Sequence, residues 1–171
     1  MLAMPFAHAA DVEIEQAQLE ATDEGYRLAS SFSFELRRVL EDALNRGVPL
    51  YFTTDVELNR PRWYWFDEGA VRASRTVRLS YNVLTRQYYT TVAGSLRQSF
   101  SSLGDALAVV RRPARWLVAD KETLKEGASY QVKVRMRLDV TQLPKPFQVN
   151  AINDSDWHLS SGWKTFTYKA E

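Results

Sequence analysis

Few residues in this chain could do acid–base or metal chemistry. It has two histidines, His8 and His158, and no cysteine. Thiol nucleophiles, disulfides and zinc–thiolate sites are therefore excluded. The sequence has no Gly-x-Ser-x-Gly motif, and only one histidine lies beyond the first ten residues. Catalysis by a Ser–His–Asp or Cys–His arrangement consequently has little support.

His158 ends a short acidic run, Asp154-Ser155-Asp156-Trp157-His158. On a strand, Asp154, Asp156 and His158 would share one face, where a divalent cation could bind. The alternative is a turn rich in Asp and Asn that leads into the last strand. The run lacks the glycine and distal glutamate of a calcium loop. We favour the turn and assign neither a metal nor a cofactor.

Two pairs of carboxylates could share acid–base work, Asp55 with Glu57 and Asp67 with Glu68. Such pairs act as acid and base where their environments separate their pKa values. Asp55 and Glu57 are predicted to face solvent, and Asp67-Glu68-Gly69 is typical of a turn. The sequence therefore predicts a protein that is not an enzyme. A hydrolase using the two aspartates of the acidic run is the least favoured alternative.

The most unusual segment is Arg60-Pro61-Arg62-Trp63-Tyr64-Trp65-Phe66. On a strand, Trp63 and Trp65 would share one face and the other two rings the opposite face. Either both faces are covered, one by the core and one by a loop or helix, or one pair is exposed. An exposed pair would form a stacking platform for sugar rings, peptide or another protein. Arg60 and Arg62 could stack over the rings or pair with acids.

A second candidate surface follows the long strand predicted over residues 71–83. Arg72, Arg78 and Arg86 could line one face together with Tyr88. The alternative is ordinary solvated arginine on a strand. The candidate binding residues are Arg60, Arg62, Trp63, Trp65, Arg86 and Tyr88.

Alternation of apolar and polar residues predicts the elements that carry these groups. It is clearest over residues 48–58, 71–83 and 130–140, where one face of each strand would be buried. Arg75 interrupts the apolar face of the second strand and predicts a bulge or a later start. A phase slip between Ile14 and Ala17 predicts another bulge. Weaker strands are predicted over residues 12–19, 26–34, 62–66, 87–92, 95–100 and 163–168.

Two segments have helical spacing instead. Residues 36–44 carry one apolar stripe that ends before Gly47, and residues 102–112 begin at a capping Ser102. Pro144 and Pro146 predict an extended connection between sheets. The pattern therefore predicts a mostly-β protein with an antiparallel β-sandwich, immunoglobulin-like in general architecture, and two short α-helices. Residues 11–171 are predicted to form this single domain.

Composition restricts the partners. There are 22 basic and 21 acidic residues, a net charge of +1, so no overall field favours nucleic acid. No apolar run approaches the roughly 18 residues of a transmembrane helix. Residues 1–10, with the triplet Ala7-His8-Ala9, are typical of the tail of a cleaved signal peptide; the alternative is a disordered start. The signal-peptide interpretation predicts that the protein is exported.

Several ordered motifs together resemble the domain-of-unknown-function 4390 family. They are Gly47-Val48-Pro49-Leu50-Tyr51-Phe52, Arg60-Pro61-Arg62-Trp63-Tyr64-Trp65, the segment of residues 79–88, the segment of residues 143–150, and Trp157-x-Leu159-x-Ser161-Gly162-Trp163. The resemblance implies an exported protein of Gram-negative proteobacteria, often encoded beside a two-component sensor kinase. It implies no activity, cofactor or catalytic residue.

These observations lead to one favoured function and one alternative. We expect a non-enzymatic periplasmic interaction or sensory-accessory domain, whose partner is a membrane sensor kinase or another envelope protein. The alternative is a module that binds carbohydrate or cell-wall fragments on the aromatic platform around Trp63 and Trp65. Nucleic acid is not an expected partner.

Overall fold

The structure, a computed structural model, describes residues 11–60 and 68–171. In these ranges the chain forms nine strands, three α-helices and two 3₁₀ turns, at Val140–Gln142 and Ser155–Trp157. The larger elements are β1 Glu13–Ala21, β2 Gly25–Ser33, α1 Arg38–Asn45, β3 Leu50–Arg60, β4 Glu68–Asn82, β5 Gln87–Val92, β6 Gln98–Phe100, α2 Leu103–Arg111, β7 Trp116–Asp120, β8 Ser129–Leu138, α3 Lys145–Asn153 and β9 Lys164–Lys169.

The strands form two antiparallel sheets. The small sheet has the order β1-β2-β7 and the large one β6-β5-β4-β3-β8-β9. The predicted mostly-β, two-sheet architecture is confirmed. In the described residues the strands divide into three and six, whereas an immunoglobulin constant domain has four and three.

The inner face of the large sheet is covered in two different ways. Over one half it packs against the small sheet, and over the other half against the helices. The sheet-covered cluster includes Leu19, Leu28, Val56, Leu58, Val118, Val132 and Val134. The helix-covered cluster includes Leu40, Leu44, Leu50, Phe52, Leu79, Ala106, Val110 and Ala151.

Local signals for the first two helices and one bulge are confirmed. After α1, Gly47 adopts a φ of 95° and its N–H donates to the carbonyl of Leu44. At the start of α2, the Ser102 hydroxyl accepts a hydrogen bond from the backbone N–H of Asp105. The register of β1 with β2 shifts between Ile14 and Gln16, where the bulge was predicted.

The prediction of two helices was wrong, because residues 145–153 form α3. Pro144 is its N-cap residue and Pro146 lies in its first turn. The first N–H groups of a helix have no partner inside it, so proline is tolerated there. The ring of Phe147 on α3 contacts that of Trp157, with centroids 5.7 Å apart. Strand β7 was also missed, since its short apolar run has no alternation.

The predicted interruption at Arg75 was wrong. Arg75 stays in register opposite Thr54, and the register of β3 with β4 shifts between Leu58 and Arg60 instead. Its side chain points to the inner face, where it donates to the carbonyl of Ala114 at 3.1 Å. Burial lowers the pKa of this guanidinium. One cation therefore lies half-buried between the large sheet and the segment that precedes β7.

Candidate functional surface

The outer face of the large sheet is polar, and within residues 11–60 and 68–171 no second layer covers it. In the described part of the chain, the buried residues of all three helices pack against the inner face. Strand pairing places alternate residues of β3, β4 and β8 together on the outer face. These are Tyr51, Thr53, Asp55 and Glu57 on β3, Arg72, Ser74, Thr76 and Arg78 on β4, and Lys133, Arg135 and Arg137 on β8.

Positive charge is concentrated on this outer face. Among the described residues, these strands and their neighbours place seven basic side chains on the face, Arg72, Arg78, Arg97, Lys133, Arg135, Arg137 and Lys169. The carboxylates beside them are Asp55, Glu57 and Asp139. Because the whole chain has a net charge of only +1, the outer face is distinctly more basic than the chain as a whole.

Asp55 lies between two arginines at the centre of the face. Its Oδ2 accepts hydrogen bonds from Arg135 Nη2 and Arg137 Nε, each at 2.8 Å, and its Oδ1 accepts one from the Ser74 hydroxyl at 2.8 Å. Burial raises the pKa of Asp55, but the hydrogen bonds from Arg137, Arg135 and Ser74 outweigh that effect and lower it. The carboxylate thus stays ionised and holds both guanidinium groups in place.

The predicted solvation of Asp55 was therefore wrong. Only 13% of its side chain is exposed, because the two arginines of the neighbouring strand lie over it. Glu57 is closer to the prediction, because its side chain is 26% exposed and its contact with Arg72 Nε is longer, at 3.6 Å. Arg137 also lies 3.5 Å from Asp139 Oδ1, so the positive excess of the face comes from the basic residues around this central cluster.

Arginines also contact aromatic rings across the face. The Arg135 guanidinium carbon lies 4.4 Å from the ring centroid of Trp163, and that of Arg97 lies 4.1 Å from the ring centroid of Tyr89. Near the centre, Arg78 Nε donates to the Tyr51 hydroxyl at 3.3 Å. Such contacts reduce the conformational freedom of long side chains before any ligand binds.

The family of this chain is shown by a match over nearly its whole length. The model of a family described as "Domain of unknown function (DUF4390)" matches residues 9–167 of the chain. The protein belongs to the DUF4390 family. No curated protein and no solved structure matches it significantly. None of the helices in the described residues is long and apolar enough to cross a membrane.

In the DUF4390 protein, Tyr88 does not join the arginines with which it was predicted to lie. It pairs with Tyr81 on the inner face, with ring centroids 4.7 Å apart, and its hydroxyl donates to Asn45 Oδ1 at 2.8 Å. Arg86 lies in the turn between β4 and β5 with a φ of 55°. This prediction was wrong because the turn decides which β5 residues face outwards, and Tyr89 takes that place.

The other predicted site residues fall at or beyond the end of β3. Arg60 ends that strand opposite Glu68. Arg62, Trp63 and Trp65 lie outside the described residues, as do Asp67 and the strand predicted over residues 62–66. The aromatic platform therefore stays a prediction.

The acidic run before β9 forms a turn, as the favoured interpretation predicted. Asp154 Oδ1 accepts a hydrogen bond from the N–H of Asp156 at 2.9 Å at the start of the second 3₁₀ turn. His158 Nε2 lies 2.7 Å from the carbonyl oxygen of Ala151. These side chains serve local structure and do not converge on one point.

A groove of about 440 Å³ separates α1 from α3 and the second 3₁₀ turn. Its floor includes Phe147 and Trp157, and its rim carries the charged residues Asp42, Arg46 and Asp154. The rim mixes both signs of charge without a dominant one. The groove therefore indicates no single ligand chemistry, in contrast to the outer face of the large sheet.

The sequence prediction missed most of the residues that form this surface. Alternation on strand β8 did place Arg135 and Arg137 on a polar face. It contained no signal that Asp55 would lie between them, since 80 and 82 residues separate the partners in the chain. Arg97 and Trp163 belonged to the weaker predicted strands over residues 95–100 and 163–168, but each lies just before the strand that forms.

Proposed function

We propose that this DUF4390 protein is a non-enzymatic interaction domain of the bacterial cell envelope that recognises an anionic partner through the outer face of its large sheet. The observation that carries the proposal is the arrangement of Arg135 and Arg137 on a face that none of the other described elements covers. Both are held in position by Asp55. Pre-positioned charges favour association because little conformational freedom is lost on binding.

The chemistry of the best-formed polar cluster supports binding more than catalysis. A general acid or base works best with a pKa close to the operating pH. The pKa of Asp55 is instead lowered below the ordinary value of an aspartate, and its oxygens accept hydrogen bonds from Arg135, Arg137 and Ser74. It is thus suited to orienting arginines rather than to transferring protons.

The family resemblance supplies the setting of this proposal. The resemblance implies an exported protein that is often encoded beside a two-component sensor kinase, and we therefore propose the periplasm as its compartment. An acidic patch on the outer part of a membrane sensor kinase, or on another envelope protein, would complement the basic face. A glycan of the envelope that carries negative charge would complement it as well.

Site-specific photocrosslinking in the native host tests where the partner binds. A photoreactive phenylalanine analogue at Ser99 or Thr165 places the probe on the outer face. Control probes at Lys121 and Glu122 lie on an exposed turn after β7. We expect adducts from the outer-face positions and none from the controls. Adducts from the controls alone, or from all four positions equally, would contradict the proposal.

A specific observation favours carbohydrate as the alternative ligand. The Trp163 ring is 42% exposed, and the arginine that contacts it provides a charge beside it. An exposed indole next to a cation is a suitable surface for stacking against a sugar ring that bears an acidic group.

A further inference from the structure

We infer that the ligand of the outer face is an acidic polysaccharide, a chain of sugar rings bearing carboxylate, phosphate or sulfate groups. This inference rests on the proposed function and specifies the ligand of the same face. It follows from the extent of the charged surface, from the placement of its rings, and from the scarcity of exposed apolar side chains among its described residues.

The extent of the surface points to a polymer. Basic residues lie from Arg97, next to β6, to Arg135 and Arg137 on β8, and Lys169 continues the face on β9. Strands lie about 4.8 Å apart, so six strands are about 24 Å wide. Charges spread over that width fit repeated anionic groups along a chain better than one small anion.

The rings alternate with the charges across the same width. Trp163 lies near the β9 side, Tyr51 on the central strand β3, and Tyr89 on β5. Each contacts an arginine through its ring or its hydroxyl. A chain of acidic sugars offers both complements at once, because it presents C–H faces for stacking and anionic groups for the guanidinium groups.

In the described residues this face has no apolar centre, which makes a protein partner the weaker fit. Stable protein interfaces usually contain a cluster of well-packed hydrophobic or aromatic anchors. Among the large hydrophobic side chains found exposed in the described residues, only Trp163 contributes to this face. The others lie on turns, on α3 and on the small sheet, and include Leu84, Leu96, Leu117 and Ile152.

Direct binding to defined polymers tests the inference. The full chain is titrated with polygalacturonate, with poly-L-glutamate of matched charge and with neutral dextran, and binding is followed by biolayer interferometry. We expect binding to polygalacturonate that weakens with salt, at least about tenfold weaker binding to polyglutamate, and none to dextran. Equal binding to both acidic polymers would show a general response to charge and overturn the inference.

Matched triple variants locate the site. Arg72→Gln, Arg78→Gln and Arg97→Gln together remove three charges from the outer face. The control, Arg38→Gln, Arg46→Gln and Arg112→Gln, removes three exposed charges elsewhere. We expect the first variant to bind polygalacturonate about tenfold more weakly or worse, and the control to stay within about twofold. An equal loss in both variants would contradict the assigned site.

The Trp163→Ala variant tests the contribution of the ring. It keeps every charge, so polygalacturonate binding should weaken while the modest response to polyglutamate is unchanged. If no acidic polysaccharide binds but outer-face crosslinks form, the ligand inference fails and the proposed interaction function stands. If crosslinks form only elsewhere, the proposed function fails as well.

Discussion

The two faces of the six-stranded sheet are built from alternate residues of the same strands, yet one is buried and apolar whereas the other is polar and in contact with solvent. On the inner face, Phe52, Leu79 and Val134 are almost fully buried and belong to the core. On the outer face, the residues between them contact one another and solvent. The fold therefore depends mainly on the inner face, and the outer face is the one that we propose for recognition.

Both faces have exceptions, and two residues illustrate the limits of this division. Arg75 points inwards, where it donates to the Ala114 carbonyl. Thr53 points outwards but is only 3% exposed, and its hydroxyl lies 2.8 Å from that of Thr76. Long side chains on the outer face thus cover the short ones, so this face also has a packed lower layer.

The largest difference between the faces should follow from removing an inner ring. Phe52→Ala should lower the free energy of unfolding by about 3–5 kcal/mol, because it removes buried surface and leaves a cavity. The matched outer-face variant, Arg78→Gln, should change it by about 0.5 kcal/mol or less. Urea denaturation measures both. Comparable losses would show that the outer face also carries the fold.

A smaller effect is expected at the centre of the outer face. Asp55→Asn leaves Arg135 and Arg137 without their shared carboxylate and should cost about 1–3 kcal/mol of unfolding free energy at pH 7. Because folding lowers the pKa of Asp55, its contribution is present above the unfolded-state pKa of about 3.9 and is lost as the pH falls through the folded-state value.

The pH dependence separates charge from shape at this position. The difference in unfolding free energy between the wild type and Asp55→Asn should be largest near neutral pH and shrink on acidification below about pH 4. Urea titrations at several pH values measure it. A difference that is independent of pH would mean that the loss comes from geometry alone.

The inward cation should behave unlike the outward ones. Arg75→Met keeps an unbranched side chain but removes a desolvated charge, so it should raise the free energy of unfolding by about 1 kcal/mol. The lost donor to Ala114 is a small cost because that residue is exposed. Arg78→Met on the outer face serves as the control, with no gain expected. If Arg75→Met destabilised the protein, the hydrogen bond from Arg75 to Ala114 would instead be needed to hold the segment before β7 against the large sheet.

The smallest expected effect on stability concerns the exposed indole. Trp163→Ala removes a contact with Arg135 at the surface and should cost about 0.5–1 kcal/mol. Thermal and urea unfolding measure this change. A loss as large as that of Phe52→Ala would place Trp163 with the core rather than with the recognition surface.

Local sequence patterns predicted part of the fold correctly, and particular residues show where such patterns failed. Ser102 caps the start of α2 with its side chain, and Gly47 follows the end of α1 with a positive φ, as the sequence predicted. The prediction of an extended segment around Pro144 and Pro146 was wrong because proline is compatible with both an extended segment and a first helical turn. Tyr88 was placed on the wrong face because one residue in the turn reverses every side chain after it.

Alternation along the chain was enough to predict long strands with one apolar face, and the absence of cysteine excluded thiol chemistry. Which strands are neighbours emerged only on folding, which brought Arg135 and Arg137 to Asp55 and left one polar face uncovered by the other described elements. The two kinds of information differ in range. Side-chain alternation is a property of the extended backbone within a few residues, whereas strand pairing joins segments far apart in the chain and is selected by burial of their combined apolar faces.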